Sequence, residues 1–232
     1  MIPGVFSRHR AIAAACDGFR DGRFGSVLRL NLLPDRSLPN PIRLLDYSVT
    51  YAGMPQLRDL FQEIFVRGTY MFHTTQARPL IVDCGSNIGM SILFFKRLYP
   101  GSIIIGFEPD PATFAILQQN IRQNGLPDVT VHNCALTDHD GTIAFYQSKV
   151  RDSSLQMSIL RERSDGARTD VPARRLSTFL PADVDLLKVD IEGAETTVLR
   201  ELAAANALAE CGSCILNITI TYGPKWTIFP SR

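Results

Sequence analysis

The sequence predicts an α/β fold with a mostly parallel sheet and helices on both faces, and three observations carry that expectation. From Pro79 onward, short apolar runs such as LIVDC and SIIIGFEP alternate with segments of helical period. The first two helical segments stop at Pro100-Gly101 and Asn124-Gly125, and a new apolar run follows each stop, the pattern of parallel strands joined by right-handed crossovers. Hydrophobic residues make up 45% and charged residues 20% of the 232 residues, close to the globular average, so one sizeable packed core is expected rather than disorder.

Residues 1–78 read as an N-terminal α+β extension and 79–232 as the main domain. Ala11 to Phe19 reads as a short helix, and Ser26 to Leu33 and Ile42 to Tyr51 alternate as two strands around the turn-rich PDRSLPNP. Leu57, Leu60, Phe61, Ile64 and Phe65 then form one apolar face of a helix packed on the main domain. LIVDC is the first buried strand, followed by a helix over Ile88 to Tyr99. SIIIGFEP is the second strand, with a helix over Pro111 to Asn124, and DVTVHNCAL is the third strand with its exit loop. After GTIAFYQ and the long polar segment QSKVRDSSLQMSILRERSDGARTD come the fourth strand DVDLLKVDIEG, a helix over Ala194 to Ala209 and a fifth strand, CILNITI.

A net charge of +1 with no Lys/Arg stripe argues against a nucleic-acid partner. Five cysteines, an odd number in apolar or turn settings, fit a reducing compartment better than a disulfide framework. Cytoplasmic is then the simplest address, and since no run approaches the roughly 18 apolar residues of a membrane span, any membrane contact would be peripheral.

The first strand runs into the loop DCGSNIG. In open α/β sheets ligands sit outside the carboxyl ends of the strands, which is where this loop lies. Glycines at 85 and 89 and the asparagine at 87 permit left-handed backbone and close approach. Their spacing is G-x-x-x-G, not the G-x-G-x-x-G of a dinucleotide site, and no P-loop motif is present. Asp83 at the strand end would repel a pyrophosphate but suits a cationic cofactor without phosphate, namely S-adenosylmethionine. Glu108, with Pro109 beside it at the end of the second strand, is placed to accept both ribose hydroxyls, and Cys134 and Ala135 at the third strand's exit are placed beside an adenine.

With FQEIFVRGTYMF, LIVDCGSNIG, IIGFEPDPATFAILQQNIRQNGL, VTVHNCALTDHDGTIAFY and LLKVDIEGAE in this order, residues 57–220 resemble the FkbM-family S-adenosylmethionine-dependent methyltransferases. The resemblance implies a Rossmann-like fold and O-methylation of sugars, glycolipids, macrolides or similar products. It implies cofactor contacts at Asp83, Gly85, Asn87 and Gly89, with Ser86 where the family usually has alanine, at Glu108, and near Ala135. It also implies functional roles within Lys188, Asp190, Glu192, Gly193 and Glu195.

An alcohol acceptor must lose a proton, and Asp190 or Glu192 is the candidate base. Strand alternation puts Lys188, Asp190 and Glu192 on one side, with Lys188 able to pair with either acid. Glu195 reads equally as a helix cap. A divalent metal would want a third ligand, which is not evident. Arg151, Ser153 and Ser154 are candidate acceptor contacts in the polar segment; a solvated connector is the plainer reading. His132 and His139 read as packing or surface residues. Cys211 and Cys214 lack a second Cys/His pair and read as buried thiols.

After CILNITI only TYGPKWTIFPSR remains, whereas the resemblance implies an antiparallel hairpin completing the sheet. A missing or shortened hairpin is therefore expected. The fifth strand would then be an exposed edge, or covered by the N-terminal segment or by a second copy in a homodimer. A non-catalytic binding module and a nicotinamide-dependent oxidoreductase are the alternatives to a methyltransferase.

Overall fold

The computed structural model describes residues 22–32, 38–146, 168–181, 183–191, 193–220 and 223–229, with backbone placement alone at 32, 145, 146, 209–220 and 223–229. The expected helix Ala11 to Phe19, and Arg151, Ser153, Ser154 and Glu192, lie outside these residues.

The elements in chain order are α1 (Arg23–Leu32), β1 (Ile42–Leu44), β2 (Tyr47–Val49), α2 (Met54–Phe61) continued by a π turn (Gln62–Val66), β3 (Leu80–Cys84), α3 (Met90–Leu98), β4 (Ile103–Phe107), α4 (Pro111–Gln123), β5 (Val129–His132), β6 (Ala135–Thr137), β7 (Gly141–Tyr146), β8 (Arg168–Arg175), β9 (Val184–Val189), α5 (Glu195–Ala204), β10 (Cys211–Ile220) and β11 (Gly223–Phe229). Six strands form the main sheet in the order β11-β10-β9-β3-β4-β5, and β6-β8-β7 form a small separate sheet. Every pairing in the main sheet is parallel except β10 with β11. Counted along the chain the members run 3-2-1-4-5-6 across the sheet, so the order reverses between β3 and β9.

Both faces of the sheet are covered, which is why its strands read as continuous apolar runs. Ile81 and Leu186 point into one buried cluster, with Ile92, Phe95 and Leu117; Val82 and Leu187 point into the other, with Phe107, Val198 and Leu202. Leu57, Phe61, Ile64 and Phe65 join the first cluster as the helical period requires, each such burial contributing about 1.5–3 kcal/mol before entropy is charged against it. Helix α4 starts where Asp110 accepts from the Thr113 amide and hydroxyl, both at 2.8 Å, with Pro111 preset for the first turn. Asn120 on α4, 1% exposed, accepts from Thr50 N (2.7 Å) and donates to Thr50 O (2.9 Å) and Ile88 O (2.7 Å), tying the β1–β2 hairpin to the loop after β3.

Four sequence expectations need correction. Ser26 to Leu33 is not a strand: Arg23–Leu32 is helical, burying Ser26 and Leu30 one turn apart while Leu28 stays exposed. Ile42 to Tyr51 is a hairpin rather than one strand, turning at Leu45 and Asp46 with Leu45 at φ 54° and its amide bonded to Ser26 Oγ (3.0 Å). The polar segment ends in a strand, since Arg168–Arg175 buries Val171 and Ala173 and pairs with both β6 and β7. The fifth strand is not an edge: β11 pairs antiparallel with β10 from Cys214–Phe229 to Ile220–Gly223. No helix among the described residues is long and apolar enough to cross a membrane.

Candidate active site

At the reversal between β3 and β9, Asp83 stands directly opposite Lys188 in the parallel ladder. The Asp83 side chain has 0% exposure. Lys188 Nζ lies 2.9 Å from Asp83 Oδ1, Ser91 Oγ donates to Asp83 Oδ2 at 2.5 Å, and Lys188 Nζ donates to Gly85 O (2.7 Å) and Cys84 O (3.2 Å). Burial pulls the Lys188 ammonium down, but Asp83 and Asp190 outweigh it and hold its pKa above the ordinary lysine value. Asp83 is therefore held in a buried pair with Lys188 and accepts from Ser91, at the carboxyl end of β3 where the sequence places it. Lys188 pairs across strands with Asp83, and Asp190 also acts on its charge. Together they fix the backbone of the loop that follows.

That loop is locked on its other side by β4. Gly85 N and Ser86 N both donate to Phe107 O (3.0 and 2.8 Å), and the buried Ser86 hydroxyl donates to Asp83 O (3.0 Å). Gly85 (φ +85°) has no space for a side chain: a Cβ there would stand 1.9 Å from Asp190 O. The close approach that this glycine permits is thus to the end of β9. Asn87 takes φ 50° with its carboxamide oxygen accepting from Ile88 N (2.7 Å), and Gly89 (φ 92°) opens α3.

Glu108, 7% exposed, sits past the end of β4 with Oε2 accepting from Asn87 N and Oε1 from Asp110 N, both at 2.9 Å. Burial pushes its carboxyl up from 4.5 to about 7, against the lowering effect of those two amides. A carboxylate offers about four lone-pair sites. With one amide on each oxygen, Glu108 retains capacity for a vicinal pair of hydroxyls. Asn133 Nδ2 donates to Glu108 O (2.8 Å) and Pro109 O (3.0 Å), holding the exit of β5 against this turn. Cys134 and Ala135 are buried, and burial raises the Cys134 thiol to about 11.

Asp190 follows the end of β9, its amide bonded to Cys84 O (3.1 Å). Tyr70 Oη donates to Asp190 Oδ2 at 2.7 Å, and Lys188 Nζ lies 5.1 Å from the centre of the Tyr70 ring. Glu195 turns back onto Gly193 N (3.0 Å to each oxygen) and Ile191 N (3.3 Å), a cap on the turn before α5. His132 stacks on Phe107 with ring centroids 5.2 Å apart, and His139 pairs with Asp138 at the surface. Cys211 and Cys214 fall on β10. The sequence reading did not single out Tyr70, Glu63 or Asn120. A lone tyrosine in a helix-to-strand connection carries no local signal when its partner is 120 positions away.

The residues fit S-adenosylmethionine on the ribose side, where each Glu108 oxygen keeps a free lone-pair site beside its one amide. Among the described residues at the switch point, Asp83 and Asp190 face one buried cation, Lys188, a charge balance that suits a cationic ligand better than a pyrophosphate.

Residues 83–228 match the model of the methyltransferase FkbM domain. The chain is 35% identical over 192 residues to methyltransferase 1 of Beauveria bassiana (strain ARSEF 2860), covering 72% of this chain and 76% of that one. It is 32% identical over 175 residues to methyltransferase sdnD of Sordaria araneosa (61% and 67%) and 28% identical over 185 residues to 31-O-demethyl-FK506 methyltransferase FkbM of Streptomyces tacrolimicus (66% and 71%). A crystal structure of methyltransferase FkbM from Methylobacillus flagellatus KT aligns at TM-score 0.47 and 16% identity, over 87% of this chain and 49% of that one. The chain spans about half the length of that structure.

Proposed function

The chain belongs to the FkbM methyltransferase family, and from that premise we propose that it uses S-adenosylmethionine to methylate a hydroxyl of a sugar, glycolipid or secondary metabolite. The observation that carries the cofactor reading is Glu108: a nearly buried carboxylate at the carboxyl end of β4, one strand from the switch point, with both oxygens held by backbone amides. When bound, S-adenosylmethionine supplies an electrophilic methyl group on a sulfonium. Glu108 would take the ribose hydroxyls, and the backbone from Gly85 to Gly89 would line the same face. Lys188 and Asp83 act behind that backbone, keeping the loop in one conformation; neither needs to touch the ligand.

Oxygen as the acceptor is supported by two relatives whose names specify it, the 31-O-demethyl-FK506 methyltransferase and a 2-O-methyltransferase, NoeI, of Sinorhizobium fredii (strain NBRC 101917 / NGR234). Asp190, beside Gly85 and within the negative switch point, is the proton acceptor in this reading, with Glu192 as the other candidate. Tritiated methyl transfer from S-adenosylmethionine into a panel of methyl glycosides, polyols and macrolides tests it. Transfer by the parent is expected, with a loss of about 100-fold or more in Asp190→Asn. Full turnover with an unchanged pH profile in that variant would move the role away from Asp190.

A further inference from the structure

We propose that Tyr70 is a positioning residue for the Asp190 carboxylate, so that the segment carrying α2 and the π turn forms part of the acceptor site. The proposal rests on the methyl-transfer reading above and deepens it. Tyr70 precedes the region matched by the family domain, which begins at residue 83.

The local chain explains how Tyr70 is delivered. The π turn Gln62–Val66 ends α2, Gly68 takes φ +67°, and Thr69 folds back with its amide and hydroxyl on Glu63 O at 3.3 and 2.9 Å. Such one-turn π segments recur at functional sites. The next residue, Tyr70, is thereby turned inward, where its ring packs near Phe95 (centroids 6.3 Å apart) and meets the Lys188 ammonium. Asp190 lies just beyond the regular strand, and the Tyr70 hydroxyl donates to its carboxylate.

The charged and titratable groups facing this carboxylate come from several elements. Lys188, with Asp83 behind it, comes from the sheet; Tyr70 and Glu63, with Arg67 and Asp59 beside Glu63, come from the N-terminal segment. Burial, then Asp190, push the Tyr70 hydroxyl well above its ordinary value, and burial followed by Asp190 also raises Glu63. Tyr70 therefore stays protonated and donates across the working pH range.

In the transfer, the acceptor oxygen bonds to the methyl carbon as the carbon–sulfur bond breaks, its electron pair staying on sulfur. The acceptor proton passes to Asp190 and then to water. A carboxylate able to rotate would spend much of its time misaligned for that proton, and misplacement of about 1 Å can cost on the order of 100-fold.

The test compares the parent, Tyr70→Phe, Asp190→Asn and the double variant. With an acceptor found by the panel above, Tyr70→Phe should lower kcat about 10–100-fold with the acceptor KM within about threefold, and the double variant should be no slower than Asp190→Asn. Additive losses, or an unchanged kcat, would overturn the proposal. NMR of the tyrosine ¹³Cζ resonances needs no acceptor. The Tyr70 signal, assigned by its loss in Tyr70→Phe, should resist ionisation past pH 10 in the parent and ionise at lower pH in Asp190→Asn. Identical behaviour in both proteins overturns the proposal even if no acceptor is found. S-adenosylhomocysteine affinity should match in parent and Tyr70→Phe; failure to bind either would sink the cofactor reading, while the ¹³Cζ result would still decide the Tyr70–Asp190 contact.

Discussion

Replacing Gly85 by alanine separates two costs that are usually confounded. Gly85 and Gly125 both have positive φ, +85° and +57°, but a Cβ at 85 meets Asp190 O at 1.9 Å, whereas one at 125 finds nothing within 4 Å. The left-handed backbone costs an alanine about 1–2 kcal/mol at either site. At 85 the ends of β3 and β9 must also part by about 1 Å to reach the closest tolerated contact, an overpacking strain of about 1–3 kcal/mol. Gly85→Ala should therefore lose about 2–5 kcal/mol and Gly125→Ala about 1–2. Urea unfolding followed by circular dichroism reads the difference, since a slope of about 1–3 kcal/mol per molar places the Gly85→Ala midpoint about 1–2 M below the parent. Because Gly85 and Ser86 are tied to Phe107 O, the same substitution should weaken S-adenosylhomocysteine binding while Gly125→Ala leaves it alone. Equal destabilisation by the two alanines would refute the claim that Gly85 is there to let β9 approach.

Lys188→Met removes the cation from a buried pair and strands Asp83, so a loss of about 3–5 kcal/mol in urea unfolding is expected. Asn120→Ala leaves Thr50 N, Thr50 O and Ile88 O without their buried partner and should cost about 2–4 kcal/mol, with Thr50 amide exchange accelerated. Glu108 has a folded pKa near 7, above its unfolded 4.5, so the folded state holds the proton longer. Stability from this group is present below about pH 4.5 and lost as pH rises through 7, on the order of 3 kcal/mol, and Glu108→Gln should flatten that slope in pH-dependent melts. Hydroxyl donors favour the ionised carboxylate, so S-adenosylhomocysteine affinity should fall as pH drops below 7 in the parent.

The sheet and the glycine loop were legible because their signals are local: apolar runs that end in an acid, and turn residues at fixed offsets. Helix α1 was not, because Leu28, Leu30 and Leu32 alternate with polar residues as a strand would, and only packing of Leu30 and Ser26 against the core selects the helix. The β1–β2 turn hides behind Leu45, an apolar residue at positive φ. Strand β8 hides behind its proline and charges, though Val171 and Ala173 keep the two-residue period. At the site, Asp83, Glu108 and Asp190 could be picked out by type and place. Their partners could not, because register between β3 and β9 decides that Lys188 faces Asp83, and tertiary packing alone brings Tyr70 to Asp190.

Calorimetric titration of the folded protein with S-adenosylhomocysteine, with NAD and with both ligands against Glu108→Ala tests the central claim most directly. The account predicts one-to-one binding of S-adenosylhomocysteine, none of NAD, and at least about tenfold weaker binding in the variant, the scale of a lost charged hydrogen bond. Absence of S-adenosylhomocysteine binding, binding of NAD in its place, or an affinity indifferent to Glu108 would contradict it.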